Sequence, residues 1–279
     1  MRKKIVIIGL LSVIMGFFAY FYWQKQKTVI EKTEGKRILA CLSSFNRPVF
    51  LSGQVLRILN QTYPVDISIS LKGVPEAYAK KTLLKEWAQY IENGRIMVRF
   101  DKNKDQYSNL LDTVRNVDLN KYDYFCKIDD DDWYGPKYFE NVNMWLNKND
   151  NLTLSYTRNT YIIHAGKDGV KISANVSNLF GPSMCFSRKL IQLALELEKN
   201  PQLAEKYIPN APFSKYKEQR EDGFLHKLAI QLGDVQERKT PAEDLSFGWQ
   251  YTSVMRTPEQ IQQTIDGNYY QFTKHMIYK

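Results

Sequence analysis

Cysteine is scarce in this 279-residue chain, with only Cys41, Cys126 and Cys185. So few, odd in number and far apart, are no disulfide framework. Each lies in a locally apolar run, as a small buried hydrophobe does. The expectation is unpaired thiols and a reducing compartment. Histidine is as sparse, with three residues, and the sequence contains neither a GxxxxGK[ST] phosphate loop nor an HExxH zinc motif. Those absences count against phosphoryl-transfer enzymes and metal hydrolases. No Lys/Arg block with interleaved aromatics occurs, so nucleic acid is not the expected partner in spite of a net charge of +9. An anionic bilayer beside the protein accounts for that charge more simply. There is no internal repeat and no low-complexity tract.

What is present begins with residues 5–23 (IVIIGLLSVIMGFFAYFYW), 19 residues without a charge. That is long enough to span the hydrocarbon core as a helix. Arg2, Lys3 and Lys4 precede it, and Lys25 and Lys27 follow it. Tyr20, Tyr22 and Trp23 sit at one end, where an aromatic belt belongs. No small-x-small cleavage site ends the run, which favours an uncleaved single-pass anchor over a signal peptide. The expected organisation is a basic tail at 1–4, a transmembrane anchor at 5–23, a polar stalk at 24–36 and a working domain at 37–279. Basic residues flank both ends of the anchor, so its orientation is not fixed by charge. About 245 residues are enough for one large α/β domain. Aromatic residues make up 13% of the chain, with 18 Tyr, which suits either an amphipathic cleft or a well-filled core.

From residue 37 onward, strand-like and helix-like segments alternate. Residues 37–45 (RILACLSSF) read as an apolar strand, and 47–61 carry Phe50, Leu51, Val55, Ile58 and Leu59 at helical spacing. Residues 65–71 (VDISISL) alternate as a strand, and Pro75 opens a helix that Asn93-Gly94 stops. A strand follows at 95–100, a helix at 105–117, a strand at 122–128 (YDYFCKI), and a helix from Pro136 to about 147. This alternation implies an α/β fold with a mostly parallel sheet and helices on both faces. Ligands of such sheets bind beyond the carboxyl ends of the strands. The second half is more mixed, with strands expected at 152–156, 160–164 and 184–187 and helices at 189–198, 221–232 and 258–266.

The strongest chemical signal is Asp129-Asp130-Asp131-Asp132, four carboxylates directly after an apolar strand. At the edge of a core their repulsion is costly. A hard divalent cation such as Mg2+ or Mn2+ relieves it, since these ions take oxygen ligands from one or two carboxylates plus substrate phosphates. In an extended segment Asp129 and Asp131 share one side and Asp130 and Asp132 the other. A solvated acidic turn ahead of a helix is the plainer alternative. Glu221-Asp222 opens a helix about 90 residues later. A carboxylate held apart from the metal pair can take a proton from an attacking hydroxyl. Ser43-Ser44-Phe45-Asn46-Arg47-Pro48 ends the first strand and starts the next helix, a loop that can present backbone groups to a nucleotide.

In order, SSFNRP, NQTYP (60–64), KIDDDDWYGPKYFENV and REDGFLHKLA resemble the glycosyltransferase family 2 pattern on the GT-A fold, over residues 37–233. The resemblance implies a nucleotide-sugar donor, most simply a UDP-sugar, a Mn2+ or Mg2+ ion, and inversion at the anomeric carbon. It makes Asp129 and Asp131 the metal pair, with Asp130 beside them, and Asp222 the base for the acceptor hydroxyl, with Glu221 positioning it or touching the acceptor. Ser44, Asn46 and Arg47 fall on the nucleotide loop. Residues 37–135 become the nucleotide half and 136–279 the acceptor half. The sequence departs from the pattern after its second strand, where SISLKGVPE has no acid before Glu76. Arg115-Asn116 and Asn109 are the nearest remnants of the family's signature ahead of the Asp-rich run. No Gln-x-x-Arg-Trp is present, which points to a non-processive enzyme. The expected acceptor is a glycan or lipid-linked sugar in surface polysaccharide or lipopolysaccharide synthesis, with the catalytic domain on the cytoplasmic face if the source is bacterial. A catalytically inactive GT-A-fold protein that binds glycan or nucleotide is the alternative. A mobile flap is expected at 201–217, and His226 and His275 are further metal candidates only in principle.

Overall fold

The apolar run after Arg37 becomes β1 (Ile38–Phe45), whose first five residues are all buried. A strand covered on both faces by helices reads as a continuous hydrophobic run, not an alternating one. Pro48 then opens α1 (Pro48–Leu59), where its missing N–H costs nothing. Strand β2 (Asp66–Lys72) follows. The single helix expected from Pro75 is instead three short pieces, α2 (Glu76–Lys81), α3 (Leu83–Glu86) and α4 (Ala88–Glu92). The breaks fall at Thr82 and Trp87, and the Trp87 indole is fully buried, so core packing overrides helical continuity there. Next come β3 (Ile96–Asp101) and α5 (Gln106–Asp112). Helix α5 is capped by the Asp105 side chain, which accepts from the Ser108 N–H at 2.7 Å. It ends five residues before the expected boundary at 117.

The remaining elements are β4 (Tyr124–Asp129), β5 (Trp133–Tyr134), α6 (Tyr138–Lys148), β6 (Leu154–Tyr156), β7 (Asn159–Gly166), β8 (Gly169–Ser177), β9 (Cys185–Ser187), α7 (Arg188–Lys199), α8 (Ala204–Tyr207), α9 (Glu221–Leu232), β10 (Val235–Glu237) and β11 (Phe247–Gln250). Strands β5, β8, β10 and β11 are additions to the expected set. The computed structural model describes residues 35–45, 47–101, 105–149, 151–157, 159–166, 169–177, 183–209, 221–238 and 247–250. The expected anchor at 5–23, the helix at 258–266, His275, and residues 210–217 of the expected flap lie outside them. Among the described residues no helix is long and apolar enough to cross a membrane.

A seven-stranded sheet runs in the order β10-β6-β9-β4-β1-β2-β3. Strands β4, β1, β2 and β3 are mutually parallel, β10 is parallel to β6, and β9 runs antiparallel between β4 and β6. A second sheet has four strands in the order β5-β11-β7-β8. Alternate residues of the central strands feed two cores, one on each face. Ile38, Ala40, Leu42, Cys126 and Ile128 pack with α1, α6 and the α2–α4 segment. Leu39, Cys41 and Phe125 pack with α5, α7 and α9. The expected helices on both faces are therefore present.

A further expectation is overturned. Cys126 and Cys185 face each other across the β4–β9 pair and form a disulfide, so only Cys41 is a free thiol. Sequence spacing hid the pairing because the 59-residue separation is closed by a strand that returns antiparallel. Burial pushes the Cys41 thiol up to about 12, where it is inert.

Candidate functional site

From β1 the chain proceeds to β2 and β3 on one side, while β4 lies on the other. The carboxyl ends of β1 and β4 therefore flank the topological switch point, where open α/β sheets take their ligands. Ser43 and Asp129 are register partners there. The structure brings Ser44, Arg47 and the acidic run together at this edge. The backbone of Asp129 is pinned on both sides. The Gln54 side chain donates to its carbonyl at 3.2 Å, and its own N–H donates to the Tyr134 hydroxyl at 3.1 Å. Gln54 and Tyr134 are buried, so neither water nor thermal motion competes strongly for those bonds.

The four carboxylates alternate in exposure. The side chains of Asp129 and Asp131 are 33% and 18% exposed, whereas those of Asp130 and Asp132 are buried. Asp130 accepts from the Ser44 hydroxyl at 2.5 Å and from the Arg47 guanidinium at 3.1 Å, and the same guanidinium nitrogen pairs with Asp131. Burial, reinforced by the Asp131 charge, pushes the Asp130 carboxyl up to about 7 against the opposing pull of Arg47 and Ser44. Arg47 is held above its ordinary value because Asp130 and Asp131 more than offset its burial.

Among the described residues no three His, Cys, Asp or Glu side chains converge as a protein-only metal centre. The donor set still fits Mn2+ or Mg2+. Two partly exposed carboxylates, Asp129 and Asp131, offer hard oxygens, and these ions complete their shells with water and substrate phosphate. Asn46 lies outside the described residues, as does the Glu221 side chain.

Asp222 sits in the first turn of α9 and reaches the same edge. Lys127, two residues before Asp129 on β4, donates to Asp222 Oδ1 at 2.9 Å, and its Nζ lies 4.0 Å from Asp129 Oδ1. The acidic run and the Glu-Asp pair, far apart in sequence, thus face each other across one ammonium that is 9% exposed. Sequence reading passed over Lys127, Gln54 and Tyr134. A signal existed for Lys127: a charge inside the apolar run YFCKI has no place in a buried strand unless something pairs with it.

Other candidates serve the core. Arg115 pairs with Asp112 and Glu198, and Asn109 accepts from Ser70 Oγ at 2.7 Å. His226 packs edge-on against Tyr156, with ring centroids 5.4 Å apart. At the end of β2, where an acid is missing, Lys72 lies over the exposed ring of Phe45 with its Nζ 5.5 Å from the centroid.

No protein-family model matches the chain, and no curated protein matches it. Solved structures do. The chain is similar to the mannosyltransferase PcManGT from Pyrobaculum calidifontis, solved in complex with GDP-Man and Mn2+. That likeness has a TM-score of 0.51 at 12% identity and covers 98% of this chain and 75% of that one. It is similar also to residues 1–349 of TarS from S. aureus, with a TM-score of 0.48 and 10% identity over 82% of this chain and 63% of that one. A third likeness is to 4-diphosphocytidyl-2C-methyl-D-erythritol synthase from Anaerococcus prevotii, with a TM-score of 0.48 and 12% identity over 85% and 96% of the two chains. The first of these likenesses gives the chain a GT-A-like fold.

Proposed function

We infer that the protein is an inverting, metal-dependent, non-processive glycosyltransferase, moving a sugar from a nucleotide-sugar donor to a hydroxyl of a glycan or lipid-linked acceptor. The observation that carries this reading is the approach of Asp222 to Asp129 at Lys127, at the switch point of the sheet. Sugar transfer needs a charged site for the leaving diphosphate and a separate base within reach of it. Asp129 and Asp131 would hold Mn2+ or Mg2+, whose charge neutralises the leaving nucleoside diphosphate. Asp222 takes the proton of the attacking hydroxyl, and Glu221 orients that acceptor. Ser44 and Arg47, with Asp130 behind them, would line the nucleotide side, and the resemblance assigns Asn46 the same role. The donor is a UDP-sugar or, as in the complex of the similar mannosyltransferase, a GDP-sugar. Residues 5–23 hold the catalytic domain, 37–279, at a membrane beside a lipid-linked acceptor.

The test is release of UDP or GDP from a panel of nucleotide sugars by the full chain in detergent with Mn2+ or Mg2+. Asp131→Asn is expected to lower turnover about 1000-fold and Asp222→Asn about 100-fold or more. A folded chain that turns over no donor, or turnover indifferent to both substitutions, sinks the reading. A second reading, an inactive GT-A-fold binding protein, is favoured by the lack of an acid at the end of β2, where Lys72 stands. Tight binding of UDP or GDP without turnover would distinguish it.

A further inference from the structure

Lys127 is of a type at odds with its position. It lies inside β4, between β1 and β9, on the face that carries Phe125 and meets Phe224 and Leu225 of α9. Taking an ammonium out of water costs several kcal/mol even after relaxation, and replacing a buried ion pair by apolar side chains is often neutral or stabilising. A Leu or Met would suit the fold as well. What an apolar residue cannot do is hold two carboxylates near each other.

The geometry fits that task. Nζ donates to Asp222 Oδ1 at 2.9 Å and lies 4.0 Å from Asp129 Oδ1, so the two carboxylates are no further apart than those contacts laid end to end. At such a range, in a partly dry site, two bare carboxylates repel strongly. Asp222 is on the first turn of α9, the turn with fewest backbone hydrogen bonds to hold it.

We propose that Lys127 is a positioning residue for the transfer reaction: it holds Asp222 beside the donor carboxylates and leaves Oδ2 turned to the acceptor. This rests on the glycosyltransferase reading. In the step itself the acceptor O–H breaks and its proton passes to Asp222 Oδ2. The acceptor oxygen bonds to the anomeric carbon as the bond from that carbon to the diphosphate oxygen breaks, and the electron pair leaves with the diphosphate. Lys127 keeps its proton throughout and touches neither substrate.

The experiment compares full-chain wild type, Lys127→Met, Lys127→Arg, Asp222→Asn and the Lys127→Met/Asp222→Asn pair. UDP-glucose, UDP-N-acetylglucosamine and GDP-mannose with Mn2+ serve as donors. Lys127→Met is expected to lower kcat about 100-fold, the scale of losing a positioned base, with the donor KM within about 3-fold of wild type. Lys127→Arg restores kcat to within about 10-fold, and the double variant is no worse than Asp222→Asn, as for residues acting as one unit. Hydrogen exchange of the α9 amides that bond back to the first-turn carbonyls, from Leu225 onward, is expected to quicken in Lys127→Met and in Asp222→Asn, while the melting temperature of the double variant, which replaces both partners, moves little. Wild-type kcat in Lys127→Met, losses that multiply in the double variant, or unchanged exchange would each overturn the proposal. If wild type itself turns over no donor, the glycosyltransferase reading fails, and the exchange data still decide whether Lys127 holds Asp222.

Discussion

Strands β1 and β2 are eight and seven residues long and pair over seven positions, whereas β6, β9 and β10 have three residues each. All five belong to one sheet. The long strands secure themselves through their own ladder, with neighbouring helices supplying the cover. The short ones cannot, and the structure surrounds them with fastenings of other kinds. Cys126–Cys185 ties β9 to β4. Arg238, just after β10, is buried and donates to Ser155 Oγ of β6 at 2.7 Å and to the Ser183 carbonyl ahead of β9. Ser187 ends β9 and caps α7, accepting from the Leu190 N–H at 3.3 Å. The half of the sheet that carries the acidic run is held by regular secondary structure, and the half that brings α9 to it is held by individual side chains.

That contrast can be broken from the weaker side. Removing the disulfide as the Cys126→Ala/Cys185→Ala pair, or by reduction, frees a 59-residue loop and is expected to cost about 4 kcal/mol, a fall of roughly 10 °C in melting temperature. Calorimetry with and without reductant checks it; identical melting would mean that the ladder alone holds β9. Arg238→Met removes the donors to the Ser183 carbonyl and the Ser155 hydroxyl and is expected to cost about 2–3 kcal/mol, read from the urea midpoint. Ser187→Ala removes a helix cap and is expected to cost about 1 kcal/mol by the same measurement. An unchanged midpoint in either variant would remove that side chain from the set of fastenings.

The same contrast explains what was legible in the sequence. β1, α1, β2, β3, β4, α6, α7 and α9 were readable because hydrophobic period, proline and glycine all point one way in each. The acidic run at the end of β4, Ser44, Arg47 and Asp222 were singled out because their order resembles a family pattern, and the structure brings them to one edge of the sheet. The helix from Pro75 was misread in its continuity because burial of Trp87, a tertiary effect, decides it. Of the three-residue strands, β6 and β9 fall within the expected strands at 152–156 and 184–187, while β10 is too short to show a period; β8 (GVKISANVS) alternates polar and apolar residues and was nevertheless passed over. The disulfide and the partner of Lys127 were invisible for one shared reason. Each is a pairing between distant segments, Cys126 with Cys185 and Lys127 with Asp222, and spacing along the chain says nothing about which strand or helix turns back to meet which.

β4 carries three obligations in four consecutive residues: the half-cystine at 126, the ammonium at 127 and the first carboxylate at 129. Their order is fixed by alternation of faces. A slip of one residue would send the cysteine into the helix α9 side and Lys127 into the opposite core. A single insertion or deletion in this strand would therefore undo the disulfide, the Lys127–Asp222 pair and the placement of Asp129 together, so three separate functions stand or fall on one register.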